Sequence, residues 1–94
     1  MRSGENDFFS DRLSDKTIRI YPNPTSGVMK IEIKGFDSSD TGTLNLFNLA
    51  GQQILTANVT SAVTQLDFTD RQNGTYILQL WLNGENSTWK IIKE

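Results

Sequence analysis

Asp67 and Asp70 are the two residues whose type and spacing come closest to chemistry, because paired carboxylates can act as general acid and base. They fall beside a turn at a strand end with no evident pocket, so chance proximity accounts for them better. Asp37 and Asp40 lie in a second polar stretch but lack the dense oxygen-ligand spacing of a calcium loop. Trp81, Trp89 and Tyr21 offer aromatic platforms of the kind that stack on sugars, although aromatic residues in short β-domains more often serve the core. The chain has no histidine and no cysteine. It therefore lacks the commonest general base, the commonest metal ligand and any thiol nucleophile. The expectation is a protein that is not an enzyme, with no catalytic, cofactor-binding or metal-binding residues. A carbohydrate- or surface-binding immunoglobulin-like module is one reading that the aromatic and acidic residues leave open.

Charge and length narrow the partners. Lys and Arg total 9 against 11 Asp and Glu, a net charge of −2, so no basic field exists to hold nucleic acid or an anionic membrane. Apolar runs are broken every few residues, far short of the roughly 20 needed for a spanning helix. Met1-Arg2-Ser3-Gly4 carries no apolar signal-peptide core, so the chain is expected to be either cytoplasmic or a piece of a longer exported protein. Its 94 residues suit one hydrophobic core.

The elements that must position these residues are strands. Residues 1–16 are polar and acidic and read as a flexible linker or tag remnant. From residue 17 to residue 94 the apolar period is two. Ile18 and Ile20, then Met29, Ile31 and Ile33, then Leu44 and Leu46 alternate with polar neighbours. Ile54, Leu66, Phe68, Tyr76, Leu78 and Leu80 complete the predicted core. Pro22 to Gly27, Asp37 to Gly42, Ala50-Gly51, Asn73-Gly74 and Asn83 to Asn86 punctuate the pattern as turns. The implied fold is all-β, an immunoglobulin-like β-sandwich of about seven strands. In that fold a corner tyrosine stands two residues before a core position, and Tyr76 with Leu78 fits those places.

Four blocks carry a resemblance. They are Ile20-Tyr21-Pro22-Asn23-Pro24-Thr25-Ser26-Gly27, Leu49-Ala50-Gly51-Gln52-Gln53-Ile54, Asn73-Gly74-Thr75-Tyr76 and Lys90-Ile91-Ile92-Lys93. In this order and spacing the chain resembles the C-terminal sorting domain of the type IX (Por) secretion system, from about Thr17 to Glu94. The resemblance implies a non-catalytic secretion signal at the end of an exported protein of Gram-negative bacteria. Such a signal directs an upstream cargo across the outer membrane to the cell surface or medium and is typically removed afterwards. The implied partners are the outer-membrane translocon, its sorting protease and the cargo in the same polypeptide. Pro22, Asn23, Pro24, Gly27, Gly51, Gly74, Tyr76, Lys90, Ile91, Ile92 and Lys93 are the candidate sorting residues. The chain departs from the pattern in two places: Arg71 and Gln72 stand where members often have an apolar residue and a proline, and Trp89 stands where many members have a first lysine. Lys90 to Glu94 are expected to be a readout whose deletion stops export without unfolding the remainder.

The last hairpin yields a surface expectation. With Gly84 and Glu85 as its central pair, Leu80 opposes Trp89 and Leu78 opposes Ile91, so Trp89 and Ile91 join the core. Ile77, Trp81 and Ile92 then form an apolar strip on the outer face, framed by Gln79 and Lys90. This strip is a candidate docking surface for the sorting machinery or for a second copy of the chain.

Overall fold

A computed structural model describes residues 9–94 of the chain. Alternation of apolar and polar side chains gives each strand one face to bury, and two such faces close on each other as a sandwich. Among the described residues there are eight strands: β1 (Phe9–Leu13), β2 (Lys16–Tyr21), β3 (Val28–Lys34), β4 (Gly42–Asn48), β5 (Gln53–Val59), β6 (Val63–Asp67), β7 (Gly74–Leu82) and β8 (Glu85–Lys93). They form two four-stranded antiparallel sheets, ordered β1-β2-β3-β6 and β5-β4-β7-β8. The chain passes between the sheets after β3, β5 and β6, the crossing pattern of an immunoglobulin-like sandwich.

The core follows the period-two reading. Ile18, Ile20, Met29, Ile31, Ile33, Leu44, Leu46, Leu66, Phe68, Tyr76, Leu78 and Leu80 are all buried, and Ile54 is half-buried against them. Leu13, Val59 and Leu82 join the core unforeseen. The ring of Phe68 meets Tyr76 edge-on, with centroids 5.4 Å apart. The Tyr76 hydroxyl donates to the Gln72 carbonyl, which makes Tyr76 a tyrosine corner, and Leu78 fills the core position two residues later.

Two expectations need correction. Residues 9–16, read as part of a linker, form β1 and a tight turn; the same reading of residues 1–8 lies outside the described residues. β1 pairs with β2 from Phe9↔Ile20 to Leu13↔Lys16, and Leu13 is only 7% exposed. Its polar centre, Ser10-Asp11-Arg12, hid the strand, because an edge strand needs few buried side chains. Ser14 (φ 53°) and Asp15 (φ 61°) make the connecting turn without a glycine.

The second correction is the register of the β7–β8 hairpin. Leu82 pairs with Glu85, Leu80 with Ser87, Leu78 with Trp89 and Tyr76 with Ile91, two residues from the expected pairing. Asn83 (φ 52°) and Gly84 (φ 85°) are the central pair, because a two-residue turn matching strand twist needs positive φ at both positions and Asn-Gly supplies it most readily. A shift of two preserves the face of every side chain. Trp89 and Ile91 are accordingly buried and Trp81 is 41% exposed, as the sequence implied.

Candidate functional site: one pole of the sandwich

Antiparallel order brings the β2–β3, β4–β5 and β6–β7 connections and the end of β8 to one pole. Those four segments contain the four sequence blocks. The segment Asn23–Thr25 leaves the β2 corner and lies along the outer edge of β8, in the opposite sheet. The Ile92 amide donates to Asn23 Oδ1 at 2.9 Å, and Asn23 Nδ2 donates to the Lys90 carbonyl at 3.4 Å. The Thr25 amide donates to the Ile92 carbonyl at 2.8 Å, and the Glu94 amide donates to the Thr25 carbonyl at 2.9 Å. Pro22 and Pro24 have no N–H to offer and are exposed, so the clamp uses the side chain of Asn23, which lies between them, and the backbone of Thr25, which follows them. The result covers an edge that would otherwise present open ladder groups.

The same corner is fastened to the β6–β7 connection. Thr25 is buried; its Oγ1 donates to the Val28 carbonyl at 2.8 Å and accepts from the Gly27 amide at 2.9 Å. Gly27 has φ +123°, its carbonyl accepts from the Phe68 amide at 2.7 Å, and a Cβ there would lie 2.6 Å from Thr69 Cα. Only glycine fits both the angle and the space. Lys93 is buried and its Nζ donates to Asn73 Oδ1 at 2.9 Å, while Gly74 pairs with Lys93 across the sheet. Asp67 Oδ1 accepts from the Thr69 amide and hydroxyl, which holds its carboxyl below the usual carboxylate range. It is a turn-former, occupied within its own loop.

The Gly51 block is joined more loosely. Asn48 closes that turn, its Oδ1 accepting from the Ala50 and Gln52 amides, and Asn48 pairs with Tyr76 in the sheet. Between this turn and the β6–β7 connection lies a polar groove of about 320 Å³ lined by Asn48, Ile54, Asp70, Arg71, Gln72 and Tyr76.

The structure thus brings together Asn23, Gly27, Gly74, Tyr76, Ile91, Ile92 and Lys93, with Pro22, Pro24, Gly51 and Lys90 exposed around them. The candidate sorting residues of the sequence do not include Thr25 or Asn73. The signal available for Thr25 is a small polar residue between a proline and a Ser-Gly pair, which marks a turn held by a side chain. Ile91 is fully buried and Lys93 nearly so, so Lys90 to Glu94 are structural as well as terminal. Their deletion removes core and clamp together and is not expected to leave the remainder folded.

The outer face of the β5-β4-β7-β8 sheet holds the other candidates. Ile77 and Ile92 are half-buried; Ile77 pairs with Lys90 of β8 and with Phe47 of β4, and Ile92 pairs with Thr75. Gln79, hydrogen-bonded to Asn45, separates Trp81 from Ile77. The residues of the sugar- or calcium-binding reading are scattered. Trp89 is buried, and Tyr21 lies in the other sheet, its hydroxyl donating to Glu32 at 2.6 Å. Asp37 and Asp40 bond within their own loop and to Asn83 and Lys16. Among the described residues no group of three or more acidic, histidine or cysteine side chains is placed to hold a metal ion.

Fold and pole define an immunoglobulin-like domain whose sequence blocks meet at one end. The chain belongs to the family described as the secretion system C-terminal sorting domain, whose pattern it matches over residues 19–94. It is a non-catalytic signal domain that targets cargo for type IX secretion and engages that machinery. A comparison with curated proteins found no match.

Proposed function

We propose that the secretion machinery reads this domain in its folded state, at the pole formed by Pro22–Gly27, Gly51, Asn73–Tyr76 and Lys90–Lys93. The observation that carries this reading is the direct bonding between segments far apart in sequence: Asn23 and Thr25 to Ile92, Gly27 to Phe68, and Lys93 to Asn73. Residues that hold one another in this way present a single surface only when the sandwich is assembled. The partners are the outer-membrane translocon and its sorting protease. The cargo lies upstream in the same polypeptide, passes through the periplasm and reaches the cell surface or the medium, where the domain is removed. The unit that travels with the cargo begins no later than Phe9, because β1 supplies Phe9 and Leu13 to the core.

The test fuses residues 9–94 to a periplasmic reporter in a host with the secretion system. Ser26→Arg and Lys90→Glu change exposed side chains at the pole, and Ser38→Arg and Thr60→Arg do the same at the opposite end. The first pair should retain the reporter in the periplasm and the second should not, with all four variants melting like the parent. Equal export by both pairs overturns the reading.

A further inference from the structure

The outer face of the β5-β4-β7-β8 sheet changes character along its length. Nearest the Asn83-Gly84 turn, one cross-strand row reads Asn58, Thr43, Trp81 and Asn86. The next row reads Thr56, Asn45, Gln79 and Thr88. Inward burial of Leu44 and Leu46 on β4, Val59 on β5, Leu78, Leu80 and Leu82 on β7 and Trp89 on β8 puts all of these side chains on the outer side. Within the second row Thr56 Oγ1 donates to Asn45 Oδ1 at 2.8 Å, and Asn45 Nδ2 donates to Gln79 Oε1 at 3.2 Å.

None of these positions carries a charge, although 21% of the chain is charged. Charge returns only beyond them, at Lys90. Amides and hydroxyls both donate and accept, so the field matches a neutral polyhydroxylated partner better than an ionic one. Trp81 is one of three large hydrophobic side chains found exposed among the described residues, and it stands between the amide of Asn86 and the hydroxyl of Thr43. Its indole borders a shallow cavity of about 380 Å³, lined also by Thr43, Asn58, Asp40 and Asn83. Lys16 pairs with Asp40 at 3.4 Å, so the cavity's carboxylate is already balanced. An exposed aromatic ring amid neutral donors and acceptors stacks on the apolar face of a sugar ring while its neighbours bond the hydroxyls.

We propose that this half of the sheet, centred on Trp81, binds a neutral polysaccharide chain. The site is remote from the sorting pole and independent of the sorting reading, so failure of either leaves the other standing. The test is affinity electrophoresis of the full chain through gels containing hydroxyethylcellulose, glucomannan or laminarin, with alginate as the acidic control. At least one neutral polymer should retard the chain. Trp81→Ala should weaken that retardation about tenfold, Trp81→Tyr should restore most of it, and Asn58→Ala should weaken it with the melting curve unchanged. No retardation by any neutral polymer, retardation by alginate alone, or equal retardation of the parent and Trp81→Ala overturns the proposal.

Discussion

Replacing Asn23 with alanine tests how the pole is held together. The structure assigns Asn23 one good bond, the Ile92 amide to Oδ1 at 2.9 Å, and one long bond, Nδ2 to the Lys90 carbonyl at 3.4 Å. The long bond sits at the limit of useful geometry and is exposed, so its loss costs little. Losing the first leaves a part-buried N–H without a partner, a cost of about 1–2 kcal/mol, the lower part of the range for unsatisfied groups. For a domain of this size each kcal/mol moves the melting midpoint by roughly 4–8 °C, so Asn23→Ala should melt about 4–16 °C lower. Asn23→Asp keeps the acceptor for Ile92 and should recover most of the difference. Calorimetry measures both shifts, and amide exchange at Ile92 should quicken by roughly tenfold in the alanine variant alone. Equal melting of the parent and the alanine variant refutes the clamp. Equal loss in the alanine and aspartate variants refutes the role assigned to Oδ1.

Gly27→Ala should be harsher, roughly 3 kcal/mol or more, because the new Cβ meets the Thr69 backbone at 2.6 Å in a conformation with φ +123°. Urea unfolding measures it, and a midpoint like the parent's shows that the corner is not tightly built. Acid should destabilise the domain through Asp37, Asp40 and Asp67. Hydrogen bonds lower all three from the ordinary 3.8: chiefly from Ser39 to Asp37, from the Asp37 amide to Asp40, and from Thr69 to Asp67. With folded values below unfolded ones, the unfolded chain binds protons first, so the stabilisation is present above pH 3.8 and is lost as pH falls through the folded values. Melting against pH should flatten in the Asp37→Asn, Asp40→Asn, Asp67→Asn triple variant; a slope unchanged below pH 4 contradicts the assignment.

Strand positions and buried faces were decided by the sequence alone, because side-chain alternation is a local property that each segment carries by itself. The β7–β8 register lies two residues from the one expected, yet Trp89 is inside and Trp81 outside in both, since a slip of two residues keeps the parity on which burial depends. The Asn83-Gly84 pair could have fixed that register from its residue types. β1 is different. Ser10, Asp11 and Arg12 carry no apolar alternation, and the strand exists because β2 offers it an open edge to pair with. The pole is also a tertiary product. Asn23 and Ile92 are 69 residues apart, and Lys93 and Asn73 are 20 apart. A polar side chain announces that it will bond but not to what, so only the crossing of chain between sheets selected those partners. The same holds on the outer face, where residue types supplied an exposed tryptophan and amides, and the pairing of β5, β4, β7 and β8 set them in rows.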